Sequence, residues 1–355
     1  MTAVAGALCI STSAIVMKLA GASPSATALG RCGFALPVLA LLAALERRRR
    51  AAASRAPVGG LAGTDTVGTG AAMSGRGRWL ARLAGVFLAG DLILWSHSIT
   101  DIGAGLSTVL SNLQVIIVPV LAWLLLGERP RRSLLVAAPV MVFGLVLVSG
   151  VVTGGGYGAD PGLGVVFGVG VGVLYSGYIL LLRRAAAADG GRGAVGGGAV
   201  EDGAVEDGAV EDGAVEGGGA GGGPVVEALF EATAGAAVTA LILGLLLRDF
   251  RLGPAWPALG WLVVLALTSG VLGWLLITLS LPRLPAGLVS ALLLVQPACS
   301  VLLGAVILRE RPSPAQLGGV AAMLVGVLIA AGPTSARNGK ATLTTDVSAG
   351  MKTTS

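Results

Sequence analysis

The sequence predicts an all-α membrane protein in which ten transmembrane helices form two inverted five-helix repeats. Three observations lead to this prediction. The mean hydropathy is +0.86, and only 12% of the residues are charged, against about 25% in soluble domains. Residues 104–150 align without a gap to residues 286–332, with identity at 14 of 47 positions. The apolar stretches number ten, which makes two sets of five, and an acidic, glycine-rich segment lies within the second set, after its first stretch.

The repeated segment is read as a membrane hairpin that has been duplicated. Each copy is an apolar stretch of about 22 residues, a charged corner and a second apolar stretch, long enough to cross a ~30 Å hydrocarbon core. At the offset of 182 residues, Gln114 aligns with Gln296, the Glu-Arg-Pro at 128–130 aligns with that at 310–312, and Gly144 aligns with Gly326.

The apolar stretches place the spans in order along the chain. They lie at 3–20, 25–45, 80–98, 103–126, 133–152, 162–182, 225–247, 258–279, 286–308 and 314–332. The first repeat is predicted at 1–152 and contains a disordered cytoplasmic loop at 46–78. The second is predicted at 162–332 and contains a disordered linker at 185–223, where AVEDG recurs. Residues 333–355 are predicted to form a disordered cytoplasmic tail.

An odd number of spans per repeat means that the second copy enters the membrane from the opposite face. Positive charge tests the orientation independently. With the amino terminus inside, the cytoplasmic loops and tail hold 17 Lys and Arg residues and the outer loops hold four. Both termini are therefore expected in the cytoplasm. Glu128 is expected at the cytoplasmic face and its twin Glu310 at the outer face.

Several motifs resemble the EamA-type domain of the drug/metabolite transporter superfamily. They are SPSATALGR at the start of span two, LLLGERP and ILRERP at the ends of spans four and nine, and the glycine in the fifth span of each half. The resemblance implies two inverted five-helix domains, alternating access and efflux of a small metabolite. The family has a proline in the middle of spans four and nine. Pro297 fits, but the first copy has Val115 there and Pro119 four residues later, so the two halves are expected to kink differently.

Charged residues inside spans cost roughly 2.5 to 3.5 kcal/mol and so are candidates for function. Asp91 lies near the middle of span three, with Trp95 one turn away on the same face. Arg31 and Glu231 are symmetry mates rather than an expected ion pair, and Arg31 alternatively snorkels or binds a helix end. Asp91 and His97 are the candidates for proton coupling, although a lone histidine near a span end is also an ordinary interfacial group.

Uncharged polar and aromatic side chains complete the expected substrate site. The candidates are Asn112, Gln114, Tyr175, Trp274 and Gln296. Amides at mid-depth bind substrate or bridge helices, and a glutamine repeated in both halves falls near the pseudo-two-fold axis where such transporters place their sites. Aromatic rings stack on ligands or form part of the core or interfacial belt.

These features predict a secondary transporter that moves a small metabolite, such as an amino acid or related amphipathic compound, out of the cell by alternating access. The expected location is the cell (inner or plasma) membrane. The sequence offers no catalytic set and no metal or cofactor motif. The expected partners are the small-molecule substrate and the lipid bilayer, and no nucleic-acid surface is expected. Homodimerisation stays open. The rival readings are an intramembrane enzyme and a transporter-like receptor without solute flux.

Overall fold

The computed structural model describes residues 2–53, 73–127, 132–150, 157–190, 225–249, 256–273, 276 and 286–331, and every regular element within these ranges is helical. The apolar composition leaves backbone groups in lipid with no water to bond, so helices are the expected solution. The elements are α1 (Thr2–Ser11), α2 (Ser13–Ala20), α3 (Pro24–Ala53), α4 (Gly75–Ile102), α5 (Ala104–Ser111), α6 (Gln114–Leu126), α7 (Arg132–Val148), α8 (Pro161–Gly190), α9 (Val225–Leu246), α10 (Ala258–Leu265), a π-helix (Ala266–Gly273), α11 (Ala286–Ile307) and α12 (Pro314–Ala331).

Apolar helical segments occupy all ten predicted span positions. Within the described residues, five of them are long and apolar enough to cross a membrane, namely Pro24–Arg49, Gly75–Ile102, Ala104–Leu125, Pro161–Ala185 and Val226–Leu246. The other five are shorter apolar helices of 10–17 residues. The chain is therefore a multi-pass membrane protein.

Helices α3 and α9 pack against each other and run antiparallel, as two contacts at their ends establish. The backbone N–H of Ser25, at the start of α3, donates to Asp249 Oδ2 just after α9, at 3.1 Å. The N–H of Glu227, at the start of α9, donates to Glu46 Oε2 near the end of α3, at 3.2 Å. Each helix thus supplies a carboxylate to the positive amino-terminal end of the other, which stabilises both ends.

Helices α7 and α12 form a second antiparallel pair with reciprocal packing. Met141 and Met323 are both fully buried, and they occupy equivalent positions at the offset of 182. A Cβ on Gly144 would lie 2.6 Å from Met323 Cγ, and a Cβ on Gly326 would overlap Met141 Cγ. Each glycine therefore receives the methionine of the other repeat, and small residues at these positions allow the close approach.

Hydrogen bonds at the two ends of this pair repeat the same relationship. Ser133 Oγ donates to the carbonyl of Ala330 at 3.2 Å, and Gln316 Nε2 donates to the carbonyl of Val148 at 3.2 Å. A polar side chain at the start of each helix thus satisfies a carbonyl near the end of its partner, where no intrahelical donor remains.

The remaining contacts follow the same pairing between halves. Helix α4 packs on α8 and α9, while α10 and the π-helix pack on α1, α2 and α3. Helices α5 and α6 contact α8, and α1 and α2 contact α11. Every contact in this set has a counterpart when each element is exchanged for its equivalent in the other half. This arrangement fits a two-repeat architecture and places α3, α4, α5 and α8 around the interior.

The structure corrects several helix limits. Helix α3 continues to Ala53 and α4 begins at Gly75, so residues 46–53 and 75–78 of the predicted disordered loop are helical. Helix α8 continues to Gly190, so residues 185–190 of the predicted linker are helical as well. The rest of the loop at 46–78, the rest of the linker at 185–223 and the tail at 333–355 lie outside the described residues.

Spans one and four are each broken, whereas α11 runs through Pro297 without interruption. Span one is interrupted at Thr12, where the Thr12 side chain bonds back to the carbonyl of Cys9. Span four is interrupted at Asn112 and Leu113, where the Asn112 amide donates to the carbonyl of Thr108. Such side-chain bonds compete with the helical ladder. Spans four and nine therefore differ, but the break in span four precedes Pro119, which lies within α6 just as Pro297 lies within α11.

Candidate functional site

Two polar groups on one face of α4 are buried without a partner. Asp91 is 5% exposed and Trp95, one turn later, is 8% exposed. Neither the Asp91 Oδ1 atom nor the Trp95 Nε1 atom has a hydrogen-bond partner in the part of the chain that the structure describes. Buried polar groups normally have partners, because leaving one unpaired costs about 1–3 kcal/mol and more for a charged group. A bound molecule that supplies the missing groups would relieve this cost.

Arg31 of α3 brings the opposite charge to the same place. Its guanidinium carbon lies 5.9 Å from the centre of the Trp95 ring, within range of a cation–π interaction. Its charge acts electrostatically on Asp91, yet the two side chains do not form an ion pair within 4.0 Å among the residues described. The two charges are thus near each other but not joined.

Tyr178 of α8 completes this group, which we name the Asp91 cluster: Arg31, Asp91, Trp95 and Tyr178. Tyr178 is buried, and its hydroxyl lies in the electrostatic field of Arg31 and Asp91. Tyr175, one turn earlier, is half-buried, and its ring centre lies 5.6 Å from that of Tyr178. Three helices, α3, α4 and α8, therefore bring a carboxylate, a guanidinium and aromatic rings together.

The cluster lies deep within the helices. A helix rises about 1.5 Å per residue. Arg31, seven residues after the start of α3, is therefore about 10 Å from that end, and Asp91, eleven residues before the end of α4, is about 16 Å from that end. At such depths an ionisable group faces the protein interior or a cavity.

The other charged candidates lie elsewhere. His97 is exposed and its ring contacts Phe167, with 5.2 Å between ring centres. Glu231 pairs with Arg82, whose Nε lies 2.7 Å from Glu231 Oε2. As expected for symmetry mates, Glu231 is bound to a residue other than Arg31. The structure therefore places Arg31 near Asp91, while Glu231 forms an ion pair with Arg82 instead.

The predicted amides are distributed along the two equivalent spans. Asn112 is buried and donates to its own helix at Thr108, at 3.0 Å. Gln114 and Gln296 are both half-buried. Trp274 lies outside the described residues.

A second buried carboxylate, Glu310, has all the partners that Asp91 lacks. It is 4% exposed. Its Oε1 atom accepts hydrogen bonds from the Lys18 ammonium at 2.9 Å and from the N–H of Ala104 at 2.7 Å. Its Oε2 atom accepts from the N–H of Gly105 at 3.2 Å. We name Lys18, Glu310 and these two backbone N–H groups the Glu310 cluster.

Local geometry explains why this carboxylate fits there. Gly103 has φ +91°, and a Cβ at that position would lie 2.8 Å from the Glu310 carboxyl carbon. Glycine is therefore needed here for two reasons: it adopts a positive φ without strain, and it has no Cβ that would clash with the carboxyl group. The carboxylate sits against the amino-terminal end of α5, where backbone N–H groups and the helix dipole favour negative charge. Tyr157 closes one side, with its ring centre 6.0 Å from Lys18 Nζ.

Sequence reasoning treated Glu310 as a marker of topology and did not single out Lys18 or Glu310 as functional. The available signal was the repeated Glu-Arg-Pro together with Gly105, which is repeated as Gly287. A carboxylate that recurs at the end of the same apolar stretch in both copies is a candidate for a specific contact. The partner itself, on span one, is a tertiary contact and has no trace in the local sequence.

Within the described ranges, no group of three or more His, Cys, Asp or Glu side chains is placed to hold a metal ion. The three cysteines are free thiols: Cys32 is buried beside the Asp91 cluster, and Cys9 and Cys299 are half-buried. The Asp91 cluster offers charge, unpaired hydrogen-bonding atoms and aromatic rings for recognition of a ligand.

Comparison with known proteins identifies the family. A sequence profile described as the EamA-like transporter family matches residues 1–150 and 222–332, which is well over half of the chain. The chain belongs to the EamA-like transporter family. It is accordingly a membrane transporter of the drug/metabolite transporter type. The first matched segment covers the first half, and the second covers the second half from α9 onwards, without α8.

A solved structure supports the fold of this EamA-like transporter. It is titled "Crystal structure of protein" and is 18% identical, with a TM-score of 0.52, and the alignment covers 93% of this chain and 94% of that one. A comparison with curated protein sequences gave no significant match. The similarity to the solved structure concerns the fold over nearly the full length of both chains.

Proposed function

We propose that this EamA-like transporter is a secondary transporter that moves an amino acid or a related amphipathic metabolite out of the cell by alternating access. Substrate binds at the Asp91 cluster. The observation that carries the proposal is the buried, unpartnered pair Asp91 Oδ1 and Trp95 Nε1 with Arg31 beside it. Transport of a polar solute needs such groups in the interior, where they replace the water that the solute loses.

The composition of the cluster supports a substrate with both charges and an apolar part. The Asp91 carboxylate suits an ammonium group, and the Arg31 guanidinium suits a carboxylate, which it can bind through two parallel hydrogen bonds. The Trp95 and Tyr178 rings offer apolar contact area and a polar edge. An amino acid carries an ammonium and a carboxylate on one carbon, so both charges of the cluster would be satisfied at once. Asn112, Gln114, Tyr175, Trp274 and Gln296 are proposed as further substrate-binding residues.

Ten spans in two inverted repeats provide the route. Reciprocal contacts between α3 and α9 and between α7 and α12 support inversion, because each contact recurs with the halves exchanged. Two similar halves facing opposite ways can adopt either of two equivalent arrangements around a fixed site. The protein then lies in the cell membrane with both termini in the cytoplasm, and the Glu310 cluster faces outwards. If transport is coupled to protons, Asp91 is the first candidate to bind the proton and His97 is the second.

Counterflow in proteoliposomes tests this function. Purified protein reconstituted with an unlabelled amino acid inside should accumulate the same labelled amino acid transiently, and the initial rate should saturate with concentration. Vesicles of defined orientation then give the direction, with faster release through the outer face expected for an exporter. A chemically altered product would instead indicate an intramembrane enzyme, binding without counterflow would indicate a receptor, and an unsaturable ion current would indicate a channel.

A further inference from the structure

The Glu310 cluster joins three elements that are far apart in the chain. Lys18 is at the end of α2, Ala104 and Gly105 begin α5, and Glu310 follows α11. The cluster thus connects the first and fourth spans of one repeat to the ninth span in the other. A connection of this kind holds the two halves together at one end of the interior.

The bonds in the cluster are strong for their surroundings. In all three bonds the acceptor is the Glu310 carboxylate, which is almost completely buried. Hydrogen bonds to a charged group in such surroundings are stronger than bonds between neutral groups. Two come from backbone N–H groups that have no partner within α5, because the first turn of a helix leaves its N–H groups free. Opening this end would therefore leave a charged group and two backbone donors without partners until water replaced them.

The space beneath the cluster is closed. Ser107, one turn into α5, is fully buried, and its Oγ atom has no hydrogen-bond partner in the described part of the chain. A Cβ on Gly105 would lie 2.8 Å from the Cα of Val301 in α11. The backbones of α5 and α11 are thus in direct contact just below the carboxylate.

The equivalent residue at the opposite end is in a different state. Residues 11–20 align with residues 176–185 at an offset of 165, which places Lys18 opposite Arg183. The alignment has structural support, since Ser11 Oγ donates to the carbonyl of Ala7 and Ser176 Oγ donates to the carbonyl of Gly172. Lys18 is half-buried and paired with Glu310, whereas Arg183 is exposed. Glu128, the equivalent of Glu310, lies outside the described residues.

We propose that Lys18 and Glu310 are positioning residues that hold the outer end of the transport path shut, through their joint contact with the amino-terminal end of α5. Release of the Glu310 carboxylate from Lys18, Ala104 and Gly105 separates α5 from α11 and opens the Asp91 cluster to the outside. The Glu310 cluster uses backbone donors as well as Lys18. A double variant with Lys18→Glu and Glu310→Lys is therefore not expected to restore the closed end, because it would place a cation against the amino-terminal end of α5.

Labelling of a single cysteine at position 107, one turn into α5 from the Glu310 cluster, tests this proposal. The reporter is Ser107→Cys in a full-length chain in which Cys9, Cys32 and Cys299 are replaced by alanine. Cysteine is nearly the same size as serine, and Ser107 Oγ has no hydrogen-bond partner among the described residues. A membrane-impermeant maleimide is applied to intact cells. Adding Lys18→Met or Glu310→Gln should raise the labelling rate roughly ten-fold or more, since each removes a hydrogen bond to a charged group.

Arg183→Met is the matched control, because it removes the equivalent cation of the other repeat, and it should leave the labelling rate unchanged. Equal labelling in the parent and in the Lys18→Met variant would overturn the proposal, as would an equal rise in Arg183→Met. If Glu310→Gln fails to fold, Lys18→Met decides alone, since Lys18 is at a helix end with a side chain that is 32% exposed, and Glu310 keeps its two backbone donors. The assay needs no substrate, so its result is independent of the proposed cargo.

Discussion

Replacing Asp91 with asparagine should weaken substrate binding roughly 10- to 100-fold, because it removes the charge from a buried acceptor. The side chains have nearly the same shape, so the helices should still pack. A thermal-shift screen of metabolites on the purified protein identifies ligands, and the same ligands are then titrated against the Asp91→Asn variant. Ligands with an ammonium group should lose the most stabilisation, since that group faces the missing charge.

His97→Gln is the control for the Asp91 variant. His97 lies on the same helix but is exposed and contacts Phe167, so its replacement should leave ligand affinity nearly unchanged. If every ligand stabilises the Asp91→Asn variant as strongly as the parent, Asp91 does not bind substrate. Equal losses in both variants would mean that the effect comes from disturbance of α4 and not from the carboxylate.

Gly85→Leu should prevent α4 from packing against α9 and destabilise the protein by at least about 3 kcal/mol. A Cβ at Gly85 would overlap the carbonyl oxygen of Ala232 and lie 2.7 Å from the nitrogen of Ala236. A Cβ at Gly235 would likewise lie 2.7 Å from the carbonyl oxygen of Arg82. These neighbours are backbone atoms and cannot rotate away. The expected result is loss of the monodisperse peak in size-exclusion chromatography after detergent extraction.

Gly33→Leu provides the comparison for Gly85→Leu. A Cβ at Gly33 has open space within 4 Å, so the same substitution should yield a monodisperse protein with a melting temperature close to that of the parent. A well-folded Gly85→Leu variant would show that α4 and α9 do not approach as closely as their glycines indicate.

Much of the fold could be predicted because membrane helices leave strong sequence patterns. Apolar length located all ten segments, and the repeat at an offset of 182 predicted which helices are equivalent. The packing of Met141 on Gly326 and of Met323 on Gly144 then follows from the symmetry, although nothing in the sequence selects methionine as the contacting residue. The ends of α3 and α8 were misjudged because alanine and arginine favour helix even where the composition has ceased to be apolar.

The candidate site was only partly predictable. Helical spacing placed Asp91 and Trp95 on one face, since residues four apart are neighbours on a helix. The position of Arg31 near Trp95 depends on how α3 packs against α4, and Tyr178 comes from α8, which belongs to the other repeat. The contact between Lys18 and Glu310 joins residues 292 positions apart. Contacts of this kind arise from the packing of helices and leave no local pattern.

Side-specific labelling of one residue from each repeat tests the inverted arrangement most directly. Arg132 lies two residues after the Glu-Arg-Pro of the first copy, Arg311 is the arginine of the Glu-Arg-Pro of the second copy, and both are exposed. Single Arg132→Cys and Arg311→Cys variants in the cysteine-free chain are treated in intact cells with an impermeant maleimide. The Arg311→Cys variant should be labelled at once, and the Arg132→Cys variant only after the membrane is permeabilised. Labelling of both from the same side would contradict the two inverted repeats.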